Sequence, residues 1–154
     1  MIDIIHKFLG TRADSEYLKE TGENNQRLHV AAAALLMEMA CIDGSFSKKE
    51  QKAIQDLLRV EYDLDRETIE EILLQAEAEL QNSNDLWQFT SVINENFSRE
   101  EKKRIIEMVW EVIYMDGKLD KHEDYLVHKM SRLLNLQHSE LIEAKLNVLY
   151  RNEQ

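Results

Sequence analysis

The chain has no proline, four glycines and one cysteine in 154 residues. Without proline, nothing removes a backbone donor from a helix interior or forces a kink. A single cysteine, Cys41, excludes an internal disulfide and fits a reducing compartment. No stretch approaches the roughly 18–20 apolar residues of a membrane-spanning helix. The opening MIDIIHKFLG has neither a basic leader nor a long apolar core, so it reads as no secretory signal. Basic charge is also scarce: 19 Lys and Arg face 30 Asp and Glu, for a formal net charge of −11. A nucleic-acid interface needs a basic stripe to displace counterions, and none is present. Lys102, Lys103 and Arg104 do cluster, but they follow Glu100 and Glu101 and read as a solvated helix start. A glycine-rich phosphate loop, a zinc-type Cys/His spacing and the Glu-x-x-His pairs of a di-iron bundle are all missing. The chain is therefore read as no enzyme.

What remains is rich in Leu, Glu, Lys, Ala, Gln and Met, all good helix formers, and predicts an all-α fold. A shift of 73 residues lays the chain on itself without a gap. It places Glu38 on Glu111, Asp43 on Asp116, Gly44 on Gly117, Lys48 on Lys121 and Glu50 on Glu123. Further on it places Arg59 on Arg132, Glu67 on Glu140, Ile69 on Ile142 and Leu73 on Leu146. Such self-similarity predicts two three-helix repeats about a pseudo-twofold axis, with a short N-terminal helix and a joining helix.

The boundaries follow from periodicity and caps. Residues 1–24 form an N-terminal arm whose Ile2, Ile4, Ile5, Phe8 and Leu9 suit a short docking helix. A peripheral membrane contact is the weaker reading, since only Lys7 adds basic charge there. Residues 25–81 form the first repeat, 82–97 a linker with a joining helix over Leu86–Glu95, and 98–150 the second repeat. Together they make one compact domain. In the first repeat, Asn25–Ile42 carries Leu28, Ala31, Ala32, Leu35, Leu36 and Met39 at helical spacing. Gly44 ends that helix, Ser47 caps the next with Glu50 three residues on, and Asp65 caps a third over Arg66–Leu80. In the second, Ser98 opens a helix to Met115 and Gly117 ends it. Asp120 caps the next, with Glu123 at the capping-box position, and a last helix covers His138–Tyr150.

Two readings of the acidic turns stay open. In the first they are caps alone: a Ser or Asp, then Glu three residues later, satisfies the orphan donors at a helix start. In the second they hold a metal. Glu38, Asp43 and Glu50, with Glu111, Asp116 and Glu123, supply hard oxygen ligands that favour Ca²⁺, Mg²⁺ or Mn²⁺ over Zn²⁺. A complete EF-hand loop is excluded, because its first and third ligand positions fall on Met39 and Cys41, and on Val112 and Tyr114. Half a site per repeat is left, to be completed only if the two turns meet.

The helix running into Asp-Gly-x-x-[Ser/Asp]-x-x-Glu, present twice, resembles the TerB-like tellurite-resistance proteins over about residues 25–150. The resemblance implies a cytoplasmic bacterial protein linked to tellurite and related stress. It also implies metal binding through the acidic motif, and work in a protein complex near the membrane. Applied to the matching positions, it assigns metal ligation to Glu38, Asp43, Glu50, Glu111, Asp116 and Glu123. The expected function is a non-enzymatic, metal-binding helical module with a protein partner, and a homodimer is allowed. The alternative is a metal-free interaction adaptor. Cys41 is expected to be a buried small hydrophobe, Trp87 and Trp110 core or interface anchors, and His122 an exposed side chain.

Overall fold

The computed structural model describes residues 12–82 and 85–152. Among them are α1 (Arg12–Ala40), α2 (Lys48–Tyr62), α3 (Arg66–Gln81), α4 (Trp87–Asn96), α5 (Arg99–Ile113), α6 (Lys121–Leu133) and α7 (His138–Asn152). A 3₁₀ turn over Tyr114–Asp116 follows α5, and no strand occurs among the described residues. The fold is all-α.

The helix expected to start at Asn25 starts instead at Arg12, so residue 25 lies inside a 29-residue helix. The short helix expected over Ile2–Leu9 lies outside the described residues. From Val30 to Met37 every side chain of α1 is buried, including the four consecutive alanines Ala31–Ala34. A helix apolar all round must be enclosed on all sides. Accordingly α1 packs against α3, α4 and α5 and also touches α2 and α6. Opposite α1, α5 is amphipathic and packs on α7. Trp110 of α5 is fully buried, and its indole N–H donates to the Leu141 carbonyl at 3.1 Å, as a buried indole must. Trp87, by contrast, is an exposed residue on α4.

The caps agree with their local chemistry. Ser47, Ser98 and Asp120 each complete a capping box with the Glu three residues on, and Asp65 accepts from the Thr68 N–H at 2.8 Å. The basic cluster at the start of α5 is not uniformly solvated. Lys102 is 8 % exposed. Its Nζ donates to the Leu134 carbonyl at 2.8 Å and to Asn94 Oδ1 at 3.3 Å. Asn94 in turn donates to the Leu133 carbonyl at 2.8 Å. The last carbonyls of α6, orphaned by helix geometry, thus find donors on α4 and α5. Among the described residues, no helix is long and apolar enough to cross a membrane.

Candidate functional site

The two acidic turns are built alike from local rules. After α1, Gly44 adopts φ 89° and its N–H donates to the Cys41 carbonyl at 2.9 Å. Asp43 Oδ1 accepts from the Ser45 N–H at 3.1 Å, which folds the turn over its own aspartate. Ser47 Oγ then accepts from the Glu50 N–H at 3.1 Å, and Glu50 Oε1 accepts from the Ser47 N–H at 3.1 Å. After α5, Gly117 adopts φ 81° and donates to the Tyr114 carbonyl at 3.0 Å. Asp120 Oδ1 accepts from the Glu123 N–H at 2.8 Å, and Glu123 Oε1 from the Asp120 N–H at 3.1 Å. In both glycines φ is positive, the region that L side chains rarely adopt.

The turns meet. A cleft of about 190 Å³ lies between them. Its apolar lining comes from Met39, Ala40 and Ile42 of the first turn's flank and from Val112 and Met115 of the second's. Its polar lining is Asp43, Ser47, Lys49 and Glu50 from the first turn, with Asp120 and Glu123 from the second. Four carboxylates and one lysine therefore share this small space.

The predicted ligands divide among different places. Asp43, Glu50 and Glu123 line the cleft, and the side chain of Asp116 lies outside those described. Glu38 does not line it; its charge falls on Cys41 instead. Glu111 lines a separate groove of about 400 Å³ between α2, α5 and α7, with Arg104, Glu107 and Arg151. Burial pushes the Glu111 carboxyl up, against the pull of Arg151, and Glu107 adds to the rise. Asp120 also lines the cleft, although sequence reasoning took it for a cap alone. The 73-residue shift lays it on Ser47, so it read as a cap only. A carboxylate that caps a helix and faces a cleft has two roles, and only the first is visible in spacing.

Donor chemistry in the cleft fits a hard divalent cation, since its side-chain donors are carboxylates and a hydroxyl. Each of the four carboxylates already accepts one backbone N–H. Among the described residues, no three His, Cys, Asp or Glu side chains converge tightly enough to hold an ion. Cys41 is exposed, not buried as expected. Partial desolvation pushes its thiol up, as do the charges of Glu38, Glu50, Asp43 and Glu77, so the nucleophilic thiolate is disfavoured. His122 is exposed.

The family model described as tellurite resistance protein TerB matches residues 29–146, which takes in both turns. Curated proteins give no match. A crystal structure of a protein of unknown function, PG1108 from Porphyromonas gingivalis W83, shares the fold at a TM-score of 0.62 and 18% identity. The match covers 80% of this chain and 88% of that one.

Proposed function

The chain belongs to the tellurite resistance protein TerB family, and on that premise we propose that it is a non-enzymatic helical module whose cleft between the acidic turns takes a divalent cation. The observation that carries this reading is the meeting of Asp43 and Glu50 with Asp120 and Glu123 around one cleft, against a single lysine. Like charges that face one cleft oppose one another, the less so the more solvent screens them. A hard cation relieves that repulsion and ties α2 to α6 through oxygen ligands. Ca²⁺, Mg²⁺ and Mn²⁺ suit such donors better than Zn²⁺. The ion would act as a clamp on the scaffold. The chain works in the cytoplasm with a protein partner in a stress-response complex. A second reading, a metal-free adaptor whose acidic turns are only caps, is favoured by the completeness of both capping boxes.

One set of substitutions separates the two. Asn caps helices about as well as Asp, and Gln serves the capping box as Glu does. Asp43→Asn, Glu50→Gln, Asp120→Asn and Glu123→Gln together therefore remove the charge and keep the local hydrogen bonds. Chelator-treated protein is melted with and without each cation. Under the metal reading, an ion at about 100 times its Kd adds about 2.7 kcal/mol of stability to the parent and nothing to the variant. If no cation shifts the parent, the metal reading fails and the adaptor reading stands.

A further inference from the structure

Folding gathers four cations that no run in the sequence marks. Lys48, Lys52 and Arg59 of α2 and Arg66 of α3 line one hollow of about 530 Å³, with Asp56 the one carboxylate among its lining residues. All four cations are exposed. On α2, positions 48, 52 and 59 stand at i, i+4 and i+11, which is one face of the helix. Apolar lining comes from the lysine stems and from Ile69 of α3, which is 3% exposed. The cations are held loosely. Among the described residues, neither Lys48 nor Lys52 has an ion-pair partner. Arg59 Nη2 lies 3.6 Å from Asp56 Oδ1, and Arg66 Nε lies 3.2 Å from Glu70 Oε1, with 91% of the Arg66 side chain exposed. Exposed pairs of this kind contribute little, so either arginine can exchange its partner for another carboxylate.

Helix chemistry does not account for the set. Lys48 and Arg66 stand at the first positions of α2 and α3, directly after the caps Ser47 and Asp65, where the positive end of the helix dipole disfavours a cation. The internal repeat does not require the set either. The 73-residue shift lays Lys48 and Arg59 on Lys121 and Arg132, but Lys52 falls on Tyr125 and Arg66 on Ser139. Four cations against one carboxylate give this hollow the opposite sign to a chain whose net charge is −11. From Lys48 to Arg59 the helix rises about 16 Å, the span of roughly five extended residues. A bilayer or a duplex would set a broad anionic surface against the rest of this acidic chain, whereas a short segment meets the hollow alone. We propose that the hollow between α2 and α3 docks a short, extended acidic segment of a protein partner, its carboxylates pairing with Lys48, Lys52, Arg59 and Arg66. The inference rests on the protein-partner part of the proposed function, and not on whether the acidic cleft takes a cation.

The test is calorimetric titration of the full, chelator-treated chain at low salt with an end-blocked Glu-Ala repeat of about eight residues, long enough to span the hollow. With no cation present, this titration and the melts described above can fail separately. Saturable binding is expected although chain and peptide are both acidic, and it should weaken as salt rises. Lys48→Gln, Lys52→Gln, Arg59→Gln and Arg66→Gln together should weaken it about tenfold or more, the scale of four exposed ion pairs. Lys121→Gln with Arg132→Gln, at the matching positions of the second repeat, should leave it unchanged. Circular dichroism verifies the fold of each variant, and Lys52→Glu alone decides if the fourfold variant does not fold. Absence of saturable binding to the parent overturns the proposal, and sedimentation of the parent with phosphatidylserine vesicles would then assign the hollow to a membrane surface. Binding that survives unchanged in the variants of the hollow overturns it too.

Discussion

Lys102 Nζ donates to the Leu134 carbonyl at 2.8 Å, joining the first turn of α5 to the C-terminal end of α6. A buried lysine in this position holds a positive charge against the negative end of a helix dipole. Desolvation lowers its pKa, and neighbouring Arg99 lowers it further, so the charge is kept at some cost. Replacing it with Met keeps the aliphatic stem but leaves the Leu134 carbonyl without that donor. Loss of a hydrogen bond from a charged donor costs about 1.5–3 kcal/mol. Lys102→Met should therefore lower the urea midpoint with the m-value unchanged, whereas Arg104→Met, at an exposed position, should shift it little.

Two glutamates should give opposite responses to acid. The Arg99 guanidinium and the Gln137 N–H hold the Glu140 carboxyl below the usual range. A depressed folded-state pKa contributes stability above the unfolded pKa, and that stability is lost as pH falls through the folded value. Melts of the parent and of Glu140→Gln should differ most at neutral pH, with the variant less stable, and should converge on acidification.

Glu111 carries the opposite sign. Its carboxyl is raised by burial, so ionisation works against the fold as pH rises through the folded-state value. Glu111→Gln should raise the melting temperature at pH 7, and the gain should shrink as the parent's carboxyl becomes protonated. The same pair of melts at pH 7 and in acid checks both glutamates.

Both turn glycines have open space where a Cβ would stand, so any cost of adding one lies in the backbone. Gly44→Ala and Gly117→Ala should each destabilise by about 1–2 kcal/mol, the penalty for left-handed backbone in an L residue. Asn, which tolerates that region better, should cost less at either position. Chemical denaturation of the four variants gives the ordering.

Ser47→Asp gives the first turn the cap residue of the second, since Asp caps a helix about as well as Ser. It adds a fifth carboxylate to the cleft lining. The expected outcome is lower stability without a cation and a larger stabilisation when Ca²⁺ or Mn²⁺ is added, read from paired melts.

Local chemistry carried most of what the sequence revealed. Ser47, Ser98 and Asp120 announce their helices because a cap and its glutamate partner sit three residues apart whatever the tertiary fold. Helical periodicity likewise marked Leu28, Leu35, Leu36 and Met39 as core, and all four are buried. Failures came where a neighbouring helix decides. Lys102 looked like a surface charge because its acceptor is 32 residues away. Glu38 and Glu111 share a register with the turns, yet neither lines the shared cleft and Glu111 lines a different groove, a placement that spacing alone does not reveal. Ala33 and Ala34 fell off the expected stripe, yet both are fully buried, because α1 is enclosed rather than half-solvated.

That enclosure sets how the chain comes apart. The helix that precedes the first acidic turn is also the surface on which α4, α5 and α6 rest. Neither turn-bearing part can detach without stripping water-averse neighbours from the alanine run of α1. The protein should therefore melt in a single step, and whatever steadies one turn is felt at the other.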